Sequence, residues 1–533
     1  MKNEQMTDAQ KLAQLKKEND ALRSDNAHLS KQVDWLSGQL GLLKRSKFGQ
    51  SSEKSAYDQV DLFNEAETYA QPAAPEPELS KVEAHYRKRQ RAMDRLPEDL
   101  PVEVVEHVLS AEEQICPVCD EPLHVMGKQV VRRELKLVPA KAVIVEHVQY
   151  TYACRNCERT GTGVPVIKAP MPTPVIKGSF ASPEAVAQII TDKFVMGIPL
   201  YRQEQQWKRH GIHLNRQTMS GWLIKAATDW LEPVYAALHA RLTAHEVLHG
   251  DETTVQVLRE PGKTPTSKSY MWLYRTSGDA PMPIVLLDYQ PGRGAEYPQA
   301  FLEGFSGYLH TDGYAAYRKL EPQVTVVGCW AHARRGFDGA VKLLKPEERK
   351  DSAAYAGRSF CDKLFAIERD LAGLSPDERH TQRQKLARPV LDAFLVWLKG
   401  YEDKAGKSPF GKAIYYTLSQ WEYLERYLLD GRLEISNNRA ERSIKPFVID
   451  RKNFLFCVSP AGARSSAVIF SLTETAKENG LNPFEYLTFL LRELPGHAGD
   501  DLTPFLPDSP TLPEGCSVPQ PKTSQPKYAW DVD

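Results

Sequence analysis

The sequence predicts a multidomain α+β protein, and three observations carry that expectation. Leucine recurs every seventh residue near the N-terminus, two Cys-x-x-Cys pairs follow after a linker, and residues 246–335 alternate short apolar runs with one helix-like segment. The elements expected in order are a coiled coil, a zinc ribbon, a helix-turn-helix unit and an α/β core interrupted by a helical insertion. At 533 residues the chain has length for several domains. Its net charge of −1 excludes a global basic field, so any surface for a polyanion is local. No apolar run reaches the length of a membrane helix, and MKNEQMTDAQ lacks a signal-peptide core. These features point to a cytoplasmic protein with no membrane partner.

Residues 8–45 place Leu15, Leu22, Leu29, Leu36 and Leu43 at heptad position d, with Asn19 and Asn26 at a. Leucine at d with asparagine at a predicts a parallel two-stranded coiled coil, because a buried amide is tolerated when it pairs with its twin. A homodimer or higher homo-oligomer follows. A surface helix packed on its own chain explains five strict heptads less well. Residues 46–97 begin basic and continue Ala-, Pro- and Glu-rich, reading as a flexible linker.

Within 98–168, Cys116, Cys119, Cys154 and Cys157 form two Cys-x-x-Cys knuckles flanking a strand-like stretch. Four thiolates suit one tetrahedral Zn²⁺, and they leave no open catalytic position, so the ion is structural. Redox chemistry accounts for one such pair better than for two. Residues 182–235 then read as three helices. Ser182-Pro183-Glu184 starts the first, Gly211 ends the second, and the third runs from Asn215 through Trp230. Arg216, Gln217 and Thr218 open the third helix and are candidates for reading DNA bases.

The core, 245–338, shows three strand segments, a helix at 295–305, and two more strands, the order of a ribonuclease-H-like sheet. Asp251 and Asp312 lie at strand ends in LHGDE and LHTDG, and Glu441 lies on a helix in NNRAERSIKPF. Two strand aspartates and a helix-borne glutamate supply hard oxygen ligands for two Mg²⁺ (or Mn²⁺) ions. A lone aspartate after a strand is more often a turn former, so spacing alone decides little. Asp288 reads as a structural carboxylate, and Glu252 as pointing to the opposite strand face from Asp251. Cys329-Trp-Ala-His332 is half a metal motif without a partner pair. His332 is therefore expected to touch DNA or a triad carboxylate and not to bind zinc. Between 431 and 464, seven basic residues stand against three acidic ones. Arg439, Arg442, Lys445, Arg451 and Lys452 there, with Arg334 and Arg335, are candidate phosphate contacts. Residues 339–430 read as a helical insertion, 431–495 as the remainder of the core with Glu441, and 496–533 as a disordered tail.

Five stretches carry a resemblance to a known family: HGDETTVQVL, LHTDGYAAYRKL, CWAHARRGFD, GRLEISNNRAERSIKPFVIDRKNFLF and GARSSAVIFSLTETAKENGLNPFEYLTFLL. In that order they resemble the bacterial insertion-sequence transposases of the family numbered sixty-six, the TnpC type, from the zipper to about residue 495. The resemblance implies an Asp-Asp-Glu DNA transposase with Asp251, Asp312 and Glu441 as triad. It further implies terminal inverted repeats and target DNA as partners, a nucleoid location, and companion proteins from the same element. A catalytically inactive DNA-binding regulator and a ribonuclease-H-like nuclease are the alternatives.

Overall fold

The structure, a computed structural model, describes residues 143–153, 166–404, 406–497 and 501–519. The heptads at 8–45, the linker and all four ribbon cysteines lie outside the described residues. What is described near the ribbon is one antiparallel pair, β1 (Thr151–Ala153) with β2 (Val166–Lys168).

Three helices follow, starting where capping chemistry allows. In α1 (Pro183–Phe194) the Ser182 hydroxyl accepts the Ala185 amide at 3.1 Å, with proline in the first turn. After α2 (Leu200–Arg209), Asn215 caps α3 (Arg216–Ala226) by accepting the Thr218 amide at 2.8 Å. The third helix does not stop at Trp230: a π turn at Ala227–Leu231 carries it into α4 (Glu232–Thr243).

The centre is a mixed five-stranded sheet. Its strands are β3 (Val247–Gln256), β4 (Lys268–Thr276), β5 (Val285–Gln290), β6 (Gly307–His310) and β7 (Val324–Val327), in the order β5-β4-β3-β6-β7. The first three pair antiparallel, and β3, β6 and β7 pair parallel. Helix α5 (Glu296–Phe301) intervenes before β6, and the short α6 (Ala315–Arg318) before β7. The order of the five strands and α5 anticipated from the sequence is the order found, while α6 was not anticipated. Asp251 is a correction: it sits inside a ten-residue strand, not at its end, because antiparallel pairing with β4 continues to Gln256.

Helix α7 (Trp330–Lys342) leads into the insertion: α8 (Ala353–Asp370), α9 (Pro376–Lys399), α10 (Pro409–Ser419) and α11 (Trp421–Glu425). It has its own core, built on Trp330, Phe337, Leu364, Phe394, Leu398 and Tyr427. The chain returns as α12 (Asn438–Phe454), then α13 (Pro460–Glu478) and α14 (Pro483–Glu493). Helix α13 covers the open edge of the sheet. Its Ser471 and Thr475 hydroxyls accept the Leu287 and Val285 amides of β5 at 2.8 and 3.0 Å, blunting an edge that would otherwise seek another strand.

The disordered tail expected from residue 496 does not hold for 501–519. Phe505, Leu506 and Cys516 bury themselves against the main core, and the Asn482 amide donates to the Cys516 carbonyl at 2.7 Å. Apolar side chains among the prolines give this stretch something to pack. No helix among the described residues is long and apolar enough to cross a membrane.

Arg383 of α9 locks the insertion to the segment preceding α12. It is 1% exposed, pairs with Glu368, and donates to the carbonyls of Tyr427, Asp430 and Leu433 at 2.7–2.9 Å. Arg383→Met leaves a largely buried carboxylate and three carbonyls without their donor. The expected loss is about 3 kcal/mol of stability, measured by chemical denaturation.

Candidate active site

Parallel register brings the two aspartates together. His249 of β3 lies directly opposite His310 of β6. Both imidazoles are fully buried and stacked, ring centres 4.6 Å apart and tilted by 13°. Each strand reads His-x-Asp, so two residues on, with the period of two that strands impose, Asp251 and Asp312 emerge side by side on the same face. The Asp251 carboxylate accepts the Glu252 amide at 2.8 Å. Asp312 accepts the Tyr314 amide at 2.9 Å across Gly313, whose φ of +96° suits glycine. From the insertion, the Tyr416 hydroxyl donates to the Asp312 carbonyl at 2.9 Å.

Asn437 docks the third carboxylate. Its amide nitrogen donates to the Gly250 carbonyl at 2.8 Å, which leaves its oxygen to accept from His249 Nδ1 at 3.0 Å. Its backbone amide donates to Cys329 Sγ at 3.2 Å. One turn further along α12, Glu441 accepts Arg335 at 3.1 Å on Oε2. Its Oε1 stands 3.6 Å from His332 Nδ1 and is buried without a hydrogen-bond partner. His332 thus lies against the Glu441 carboxylate.

Burial, and then the charges of Glu252, Asp312 and Glu441, push the Asp251 carboxyl well above the usual carboxylate range. Burial and the Asp312 charge raise Glu252 to about 7, although Arg293 and Tyr317 pull it back. Such a knot of like charges, with the buried Glu441 oxygen unpartnered, fits a hard divalent cation held by carboxylates. A tighter group also exists: among the described residues, ligand atoms of Cys329, His332 and Glu441 lie within 4.8 Å of one another. Burial pushes the Cys329 thiol up to about 12, and its sulfur already accepts the Asn437 amide, so this trio is a poor thiolate site.

Glu252 differs from its expectation. It does lie on the opposite strand face, paired beside Trp272, yet the Asp312 charge reaches it. Arg293 binds it, and Tyr317 donates to it at 2.8 Å. Asp288 sits two strands over on that same face, bonded to Gln290 and raised to about 6 by burial, apart from the triad.

The basic candidates divide. Arg334 pairs with Asp362 at 2.5 Å, Arg439 with Glu434 at 2.5 Å, and Arg451 binds the hydroxyls of Thr253 and Thr254 at 3.2 and 2.9 Å. Those three join parts of the fold. Arg442, Lys445 and Lys452 are exposed on α12, as are Arg216 and Gln217 at the start of α3, with Thr218 half-buried. His249, His310, Asn437 and Tyr416 were missed in the sequence. The repeated His-x-Asp was the available signal for the first two.

Four family models match the chain. A model described as the transposase IS66 family covers 178–465, and a zinc-finger binding domain of transposase IS66 covers 113–158. A leucine-zipper model, described as transposase C of IS166 homeodomain, covers 35–105, and an IS66 C-terminal element covers 471–507. Among curated proteins of Sinorhizobium fredii (strain NBRC 101917 / NGR234), the uncharacterized protein y4jD is 32% identical, over 89% of this chain and 93% of its own length. The uncharacterized protein y4hP is 30% identical, over 87% of this chain and 86% of its own.

The buried histidines tie stability to pH. Burial lowers His249 to about 3, against 6.5 when solvated. Below pH 6.5 the unfolded chain therefore takes up a proton that the folded chain refuses, and stability falls by up to about 1.4 kcal/mol per pH unit until pH nears 3. Asp251 and Glu252, raised on folding, act in the opposite sense. The expected result is that His249→Gln removes about that slope relative to wild type, read from urea denaturation at pH 7, 6 and 5.

Proposed function

The chain belongs to the transposase IS66 family, and on that premise we propose that it binds the terminal inverted repeats of its insertion sequence and cuts and joins DNA strands at Asp251, Asp312 and Glu441. It is a DDE transposase, a polynucleotidyl transferase with a zinc-finger domain. The observation that carries the proposal is convergence of the two His-x-Asp strands with the Asn437-docked helix, so that the Asp251 carboxyl feels the charges of Asp312 and Glu441. The strand order β5-β4-β3-β6-β7 supports a ribonuclease-H-like reading of the core.

Two divalent ions, Mg²⁺ or Mn²⁺, would supply activation of the attacking oxygen and stabilisation of the departing one. The chain's own residues do the placing. Asp251 and Asp312 offer oxygens from a rigid sheet, and Glu441 offers its unpartnered oxygen from across the cleft. Arg335 steadies Glu441 from one side. Arg442 and Lys445 present cations beside it for the DNA backbone. Tyr416 and Gly313 fix the Asp312 loop against the insertion, limiting access of stray water.

Around that centre we assign the other parts. Residues 98–168 hold one structural Zn²⁺ through Cys116, Cys119, Cys154 and Cys157. The exposed start of α3 reads terminal-repeat DNA in the unit 182–235. The heptads at 8–45 pair two chains so that two element ends are held together. The protein acts in the bacterial cytoplasm at the nucleoid, with companion proteins of the element as further partners. An inactive regulator would have no need of the carboxylate knot, whose mutual repulsion is costly without a cation.

Two tests follow from these roles. Asp251→Asn, Asp312→Ala or Glu441→Gln is expected to lower the rate of cleavage and strand transfer on end-bearing duplexes by roughly a hundredfold or more, while repeat binding stays within a few-fold of wild type. Full strand transfer by Asp312→Ala removes the triad. Separately, protein purified without chelator is expected to contain one zinc per chain by elemental analysis. Cys154→Ser is expected to lose that metal and unfold the ribbon, since metal binding supplies much of such a domain's folding free energy.

A further inference from the structure

Helix α12 continues past the catalytic centre, and one face of it is laid out in a line. Glu441, Lys445, Val448 and Lys452 fall at i, i+4, i+7 and i+11, a single stripe along the helix. Lys445 and Lys452 are exposed, as is the neighbouring Arg442, and none of the three forms an ion pair among the described residues. The acid nearest in sequence to the end of that line, Asp450, is buried. The stripe therefore leads away from the catalytic glutamate as uncompensated positive charge.

It ends at an unusual turn. Leu455 is the only non-glycine residue with positive φ among the described residues, at φ +65° and ψ −47°. The Phe456 amide donates to the Phe454 carbonyl at 2.8 Å, closing a γ-turn of the rarer, strained hand. A turn needed only to reverse the chain would favour glycine here. Instead leucine stands 64% exposed, followed by Phe456 at 40% and Val458 at 50%. The backbone beneath them is fixed. Cys457 is buried and bonded both ways to the end of β3 and the residues after it, its amide to the Gln256 carbonyl at 2.9 Å and its carbonyl from the Leu258 amide at 3.0 Å. Strain held in place by its surroundings, under apolar side chains left this exposed, marks a position kept for something outside the chain.

We propose that Leu455 and Phe456 form an apolar wedge that enters the bound DNA duplex between base steps, at a fixed distance from the cleavage point. The inference rests on the DNA-joining activity proposed above. Apolar side chains that unstack a base step are a recurrent device of DNA-bending proteins. The line of cations ending at the wedge selects a polyanion over a second copy of the chain. Two routes set the distance. Fourteen residues of helix from Glu441 to Leu455 span roughly 21 Å. Six residues of strand from Asp251 to Val257, which bridges to Cys457, span roughly 20 Å. At about 3.4 Å per base pair the wedge meets DNA about six pairs from the scissile phosphate.

The test uses full-length protein and a duplex ending in the element's own terminal repeat, probed with permanganate for unstacked thymines. Wild-type protein is expected to make thymines reactive about six pairs from the cleavage position. Leu455→Gly, which relieves the turn while deleting the side chain, is expected to keep or raise the unfolding midpoint, return reactivity to background and slow cleavage about tenfold. Phe456→Ser is expected to do the same to the DNA from an unstrained position. A Leu455→Gly protein that binds with the wild-type permanganate pattern overturns the wedge, as does a wild-type complex without reactivity near that position. A change of sedimentation state in either variant, with the DNA pattern intact, assigns the patch to self-association and likewise overturns it. Wild-type protein that distorts the duplex there but neither cuts nor joins overturns the transposase mechanism and leaves the wedge standing.

Discussion

Everything at the carboxylate cluster depends on one pairing register, His249 opposite His310 in parallel strands. A slip by one residue would turn one aspartate to the other face of the sheet and leave the pair apart. The stacked imidazoles make such a slip costly, since either ring would lose its fully buried place. The same pair sets the third carboxylate. Asn437 reads the His249 ring and the Gly250 carbonyl at once, so α12 can dock only where β3 already presents both. Strand register, helix docking and carboxylate geometry are thus one constraint expressed three times.

That constraint gathers negative charge, and the surrounding structure answers it in graded fashion. Glu252, raised to about 7 by burial and the Asp312 charge, is held by Arg293 and Tyr317 on the far face of β3. Arg293 in turn lies over the Tyr314 ring, 3.7 Å from its centre, so the loop after Asp312 is tied to the strand carrying Asp251. Glu441 has Arg335 and a neighbouring imidazole, whereas Asp251 and Asp312 accept only the backbone amides of Glu252 and Tyr314. The helical insertion, remote in sequence, supports the site mechanically. Tyr416 bonds the Asp312 carbonyl, the Gly328 amide donates to Tyr423, and Arg383 fixes the segment that leads into α12. Losing Arg383 would loosen the approach to Glu441 without touching Asp251, Asp312 or Glu441 itself.

Much of this was legible in the sequence, for identifiable reasons. Apolar alternation located the five strands and α5, and Ser182 with Pro183 announced the start of its helix. What failed was information that lives between distant segments. Polar GDETTVQ reads like a strand's end, yet β4 supplies partners that extend β3 through it. Arg334 and Arg451 look like phosphate ligands in isolation, but Asp362 and the threonines of β3 claim them. The prolines of the tail suggest disorder, whereas Phe505 and Leu506 find a core that no local pattern displays. Asn437 was quoted within a motif without a role, because its role is a contact with residues nearly two hundred positions away.

The same long-range packing bears on how recognition and cutting are joined. Helices α1, α3 and α4 share one apolar core with the sheet and with α13 and α14, through Ile189, Leu223, Leu238, Phe470 and Leu490. The Trp230 indole donates to the Val175 carbonyl at 2.8 Å, and Tyr235 to the Leu287 carbonyl on β5 at 3.1 Å. Interior packing at this density does not permit one helix layer to slide on the other without opening cavities. In the proposed function, a DNA end held at Arg216 and Gln217 would therefore be presented to the carboxylates at a fixed distance and angle.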